Sequence, residues 1–312
     1  MSASKAPASV SSLLLLLLLL LASMSLVMVG GLGGHGLVAS AAKTTAEECA
    51  VYSDHPEAVN KTHRWLHPLY MHVPKCGSTF AMTLAQVHCP WLELNETKVE
   101  PHDIKINDVN GRCDKQMTRF MGGHDGVPQQ EEKIRSGVTM LRDPLDRIAS
   151  GFLHNLHDCG PLRDREATTM EEVIYPEEWW QRKAENVSLV LEYANCVKGM
   201  MTQMFNGVAK SHIPFKAPTF IEKVTAVKNL HKFAFVGIHE QWDRSICLYR
   251  AMYGGENMTP LVFAPDRVAR YGVDLKGIIK KTLQQHGWVD DADSFLYHSA
   301  LMRFDREASL FL

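Results

Sequence analysis

Lys75, Gly77, Ser78 and Thr79 stand together in the stretch HVPKCGST, between a β-prone run, Leu69 to Val73, and an apolar stretch with helical spacing. A strand, a short turn carrying one Lys and one Gly, and a helix opening on hydroxyls can hold a phosphate. The helix N-terminus offers unpaired amides and the positive end of the helix dipole. Lys75 adds a full charge, Gly77 lets the backbone approach closely, and Ser78 and Thr79 add hydroxyl donors. The spacing G-x-x-x-x-G-K-[ST] is absent, so this is not a Walker A loop. A plain strand-to-helix turn with an N-capping hydroxyl reads the same way.

A second segment, TMLRDPLDRIASGF at residues 139 to 152, sets Arg142 at a strand end. Asp143 follows as a natural N-cap and Pro144 takes the first helical position. Arg142 is a fork-shaped donor suited to phosphate, and Ser150 lies two helical turns further on. Standing alone, the segment reads as a capped helix whose Asp146 and Arg147 are solvated.

These groups need a frame. Short apolar strands are expected at residues 69 to 73, 137 to 141 and 233 to 237, without alternation and so buried on both faces. Helical patterns fall at 79 to 88, 144 to 157, 187 to 205, 219 to 230, 240 to 253 and 291 to 305. Strands alternating with helices predict an α/β fold, doubly wound around a central parallel sheet flanked by helices. Ligands in such sheets sit beyond the carboxyl ends of the strands. Lys75 and Arg142 each follow a strand, which points both at one crevice.

Taken together, HVPKCGST resembles the 5′-phosphosulfate loop of sulfotransferases that use 3′-phosphoadenosine 5′-phosphosulfate (PAPS). LRDPLDRIASGF resembles their 3′-phosphate motif, an Arg-Asp-Pro-x-x-Arg run with a Ser eight residues after the first Arg. The order of the motifs is similar to that in Golgi carbohydrate O-sulfotransferases, especially the heparan and uronyl 2-O-sulfotransferase branch. FAFVGIHEQWDRSICLYRAM (233 to 252) and DADSFLYHSALMRF (291 to 304) are similar more loosely, so the likeness covers roughly residues 66 to 305.

The resemblance implies a P-loop-like sulfotransferase fold and a carbohydrate acceptor, with PAPS as donor co-substrate and no metal. It implies that Lys75 contacts the bridging oxygen of the donor. Cys76, Gly77, Ser78, Thr79 and Phe80 would surround the 5′-phosphate, and Arg142 and Ser150 would hold the 3′-phosphate. His124, in FMGGHDGV, aligns with the second half of the His-Gly-His segment of the 2-O-sulfotransferase branch, which makes it the expected base. Gly122 stands where that segment has its first His, and Cys76 where the family usually carries Thr.

Other residues carry more than one reading. His154 and His157 share a helical face, but two histidines make no zinc site without further ligands. Trp179 and Trp180 read as core residues more readily than as a sugar platform. Glu240 reads as a charge favoured by a helix N-terminus or as an acceptor-site carboxylate. Lysines and arginines cluster at Lys210 to Lys232 and at Arg267 to Lys281, as an acceptor path or as solvated helix faces.

Composition sets the outer bounds. The chain has 312 residues, 46% of them hydrophobic, and a formal net charge of −2. That balance provides a real core and no global basic field for nucleic acid. Residues 13 to 34 are uncharged and open on nine leucines, long enough for a membrane helix. The expected organisation is a cytoplasmic tail (1–12), a signal-anchor transmembrane helix (13–34), a stem (35–64) and a lumenal domain (65–312) in the Golgi membrane. A signal peptide cleaved near Val38 to Ala41 gives a secreted protein instead. Both put the domain in the secretory lumen, as do N-x-[ST] acceptors at Asn60, Asn95, Asn186 and Asn257. The seven cysteines leave at least one without an intrachain partner, and Cys76, inside the loop, is the expected free thiol. A lumenal P-loop kinase and a catalytically silent lectin-like binder are the rival functions. The sequence leaves the oligomeric state open.

Overall fold

The computed structural model describes residues 69–77, 80, 84, 119–120, 124–128, 130–166, 177–209, 214, 216–253 and 274–312. The leader, the stem, Ser78, Thr79 and Gly122 lie outside them, as do three of the four glycosylation acceptors. Among the described residues no helix is long and apolar enough to cross a membrane.

The fold is α/β, with a small parallel sheet among helices. Its strands are β1 (Leu69–Tyr70), β2 (Arg119–Phe120), β3 (Gly137–Leu141) and β4 (Phe235–Ile238), in the order β2-β1-β3-β4 and all parallel. Every residue of β3 and β4 is buried, which is why neither segment alternates in the sequence. Tyr70 pairs with Val138, and Leu141 with Ile238, so Lys75 and Arg142 leave the sheet at the same end. β2 has no run of apolar residues to announce it.

The helices are α1 (Glu131–Arg135), α2 (Pro144–Phe152), α3 (Gly160–Glu166), α4 (Glu177–Glu185) and α5 (Val187–Cys196). They continue with α6 (Met200–Phe205), α7 (Phe220–Lys232), α8 (Trp242–Tyr253), α9 (Leu275–Gln285) and α10 (Asp291–Phe311). Helices α8 and α10 pack on β4, α7 packs on α6 and α10, and α9 packs on α2 and α4.

The cap at Asp143 is as the sequence reads. The Asp143 side chain accepts from the amides of Leu145 and Asp146, with Pro144 at the helix start. Thr219 and Glu222 form a reciprocal capping box on α7. Two expected helices are cut short. The pattern 187 to 205 breaks at Gly199, which takes φ +71° and packs against Pro218. The pattern 144 to 157 ends at Phe152, because Asn155, Leu156 and Asp158 all adopt positive φ.

Arg147 is not solvated, as the isolated segment suggests. Its side chain is 2% exposed, 3.3 Å from Asp293 on α10, and donates to the Val197 carbonyl. Asp293 also accepts from the amides of Met201 and Thr202, and so ties α2, α6 and α10 together. Asp146 pairs instead with Lys280 on α9 at 3.0 Å. Trp180 is buried, and Trp179 packs edge-on against it with the Lys183 ammonium over its ring, so the core reading of the pair holds. Cys159 and Cys196 form a disulfide between the strained turn and α5, Cys247 is disulfide-bonded as well, and Cys76 is free.

Candidate functional site

The turn after β1 is fixed by its own backbone. The Cys76 amide donates to the Val73 carbonyl, the Phe80 amide to the Gly77 carbonyl, and the Tyr70 hydroxyl to that same carbonyl at 2.9 Å. Gly77 has φ +94°, and a Cβ there would meet the Trp242 ring at 3.1 Å. Lys75 holds φ +63° without being glycine. That conformation costs a lysine roughly 1–2 kcal/mol and persists only where the surroundings impose it.

Arg142 meets this turn from β3. Its Nη1 donates to the Lys75 carbonyl at 3.4 Å, which ties the guanidinium to the backbone of the turn. The guanidinium is buried, and its Nε has no hydrogen-bond partner. Glu240 lies 3.8 Å from that Nε, accepts from the Asp143 amide and from the Tyr297 hydroxyl, and thereby fixes the start of α2. Glu240 is thus an anchor for Arg142 and α2, a role the sequence does not reveal. Lys276, on α9, is half-buried close to Arg142, and burial, then the Arg142 charge, lowers its pKa. Two cations near enough to repel each other suit a dianion.

His239 closes the same end of the sheet. Burial first, then Arg142 and Lys276, pushes its imidazole down to about 3. In the unfolded chain it titrates near 6.5. Below that value the unfolded state binds a proton that the native state refuses, so stability falls with pH between about 6.5 and 3. The expected slope from this group approaches 1.4 kcal/mol per pH unit, and His239→Gln should flatten urea-derived stability against pH by that amount.

The remaining expected site residues divide. Cys76 turns its thiol into the core, 3.8 Å from the Met201 sulfur, and burial raises its pKa to about 12. Phe80 is fully buried among Phe235, Trp242 and Tyr249. Ser150 is partly exposed on α2, and Ser78 and Thr79 fall outside the described residues.

His124 sits in a cluster of imidazoles. Its ring lies 4.5 Å from that of His72 at the end of β1 and 5.4 Å from that of His157, centroid to centroid. Its Nδ1 is 3.4 Å from Asp158 Oδ1, and His157 Nε2 is 3.2 Å from Asp158 Oδ2. Burial holds His157 down at about 3, with Asp158 pulling the other way and Lys75 close enough to reinforce burial. Sequence reading pairs His157 with His154 and misses Asp158 and the meeting with His124, because residues 124 and 157 are distant in the chain and meet only through the positive-φ turn.

Gly151 makes that turn possible. The Tyr193 hydroxyl passes over it to donate to the His157 carbonyl at 2.9 Å, and a Cβ on Gly151 would lie 2.1 Å from that oxygen. Gly151→Ala should therefore cost about 1–3 kcal/mol in thermal unfolding. Combining it with Tyr193→Phe should cost less than the two separate losses added together, because the clashing oxygen is gone.

Comparison of the chain with known protein families, characterised proteins and solved structures gives no match.

Proposed function

We propose that the chain transfers a sulfuryl group from PAPS to a hydroxyl of a carbohydrate acceptor, in a P-loop-like sulfotransferase fold. The observation that carries this reading is the contact of the Arg142 guanidinium with the backbone of the Lys75 turn. Two segments that resemble separate phosphate motifs meet at one end of a parallel sheet, and the buried Arg142 retains an unbonded Nε. Lys276 adds a further cation beside Arg142, suited to the 3′-phosphate that distinguishes this donor from ATP.

In the proposed reaction the acceptor oxygen attacks sulfur in line with the bridging oxygen. One S–O bond forms as the other breaks, and adenosine 3′,5′-bisphosphate leaves. Lys75 offsets the charge that builds on the leaving phosphate, while Arg142 and Lys276 hold the far phosphate and fix the line of attack. His124 takes the proton released by the acceptor, with Asp158 beside its other nitrogen to orient the ring. No metal is needed for these steps. The disulfide between Cys159 and Cys196 supports an oxidising lumen, and the apolar run at 13 to 34 supports a Golgi signal anchor.

The test is transfer of radiolabelled sulfate from PAPS to a panel of neutral oligosaccharides and glycosaminoglycans. Sulfation of at least one saccharide, lost with His124→Ala, is expected. A folded protein that labels none of them overturns the reading.

A further inference from the structure

We propose that His124, His157 and Asp158 form a binding site for a divalent transition-metal ion of the Zn²⁺ class. One donor atom from each of the three residues falls within 4.8 Å of the others. The carboxylate lies 3.4 Å from one imidazole nitrogen and 3.2 Å from the other. Ligands about 2.0–2.1 Å from a tetrahedral zinc stand roughly 3.3–3.5 Å apart, and each imidazole nitrogen is already near that distance from one Asp158 oxygen, Oδ1 for His124 and Oδ2 for His157. Drawing all three donors onto one ion requires the side chains to close from separations of up to 4.8 Å.

The chemistry of the set agrees with its size. Two imidazoles and one carboxylate suit a borderline-soft ion and leave a fourth position for water or an exchangeable ligand. His124 is 8% exposed, and its Nδ1 faces the cluster without a hydrogen-bond partner. A buried nitrogen in that condition is costly unless something binds it. His157 keeps 23% of its side chain exposed, which gives an ion a way in.

The frame is also held firmly. The His157 amide donates to the Gly151 carbonyl, the Tyr193 hydroxyl donates to the His157 carbonyl, and the disulfide at Cys159 fixes the next residue. Asp158 itself holds φ +68°. An aspartate kept in the left-handed region, between a histidine and a disulfide, is held there by its surroundings.

An ion on His124 Nδ1 leaves the ring's proton on Nε2, where it cannot accept another. Resting on the transfer reading above, Zn²⁺ then inhibits sulfuryl transfer. Binding itself is independent of that reading.

The experiment uses the full chain, stripped with chelator, titrated with zinc chloride by calorimetry and with Co²⁺ by visible absorption. One ion per chain and a tetrahedral Co²⁺ spectrum are expected. His157→Gln and Asp158→Asn should each weaken Zn²⁺ binding at least about 100-fold, beyond the 10–100-fold effect of a merely supporting neighbour. Asn tolerates the left-handed backbone of residue 158, so Asp158→Asn keeps the test open if His157→Gln fails to fold. His298→Gln, at an exposed position, should change nothing. Absence of stoichiometric binding, or binding unaffected by both cluster variants, overturns the proposal. Zinc binding without sulfuryl transfer would overturn only the function proposed above.

Discussion

Asp293→Ala should lower the unfolding free energy by about 3–5 kcal/mol, the largest stability loss expected of a single replacement here. The carboxylate lies fully buried at the junction of three helices. It faces Arg147 at 3.3 Å and accepts from the amides of Met201 and Thr202, while Asp290, one turn earlier, accepts from the Gly199 amide. Burial pushes the Asp293 carboxyl up to about 7, against the pull of Arg147 and those amides. The pair is therefore costly to desolvate, and its net contribution over an apolar pair is small. Removing one partner is another matter, because Arg147 would then hold an uncompensated buried charge and two amides would lose their acceptor. Replacing both, as Arg147→Met with Asp293→Leu, should recover the part due to the orphaned charge, while the Met201 and Thr202 amides stay without their acceptor. Urea unfolding of the two variants checks the argument. Equal losses for single and double variants would show that the ion pair itself, not the orphaned charge, is what matters.

The largest expected effect on activity belongs to Lys75→Gly. Removing one preorganised group that stabilises transition-state charge typically costs about 10²–10³ in kcat. Stability should move the other way or hardly at all. Lys75 sits at φ +63°, where glycine is at ease, so the relief of strain offsets the added freedom of the unfolded chain. The expected result is a protein within about 1 kcal/mol of the parent in stability that transfers almost nothing. A Lys75→Gly chain with undiminished transfer would remove lysine from the mechanism.

Much of this was legible in the sequence where chemistry is local. The unalternating apolar runs at 137 to 141 and 233 to 237 marked buried parallel strands, because no polar face is tolerated between covering helices. Asp143-Pro144 marked the start of α2, since cap and first-turn geometry depend on adjacent residues alone. Cys76 was the right choice of free thiol. Long-range pairings were not legible. Nothing near Arg147 reveals that Asp293, 146 residues later, will bury it. Nothing near His124 reveals Asp158. Cys76 and Phe80, expected from the resemblance around the 5′-phosphate, carry side chains that the fold turns into the core. The end of α2 at Phe152 was hidden too, because the left-handed residues Asn155, Leu156 and Asp158 are not glycines and give no local warning.

Sulfuryl transfer as proposed requires a donor site built by Lys75 and Arg142. Calorimetric titration of the full chain with adenosine 3′,5′-bisphosphate tests it most directly, with ATP as the competing nucleotide. One bound nucleotide per chain is expected, lost in Arg142→Ala and in Lys75→Gly and untouched by ATP. No binding by a folded protein, or binding that survives Arg142→Ala, would contradict it and leave the two motifs as a turn and a helix cap.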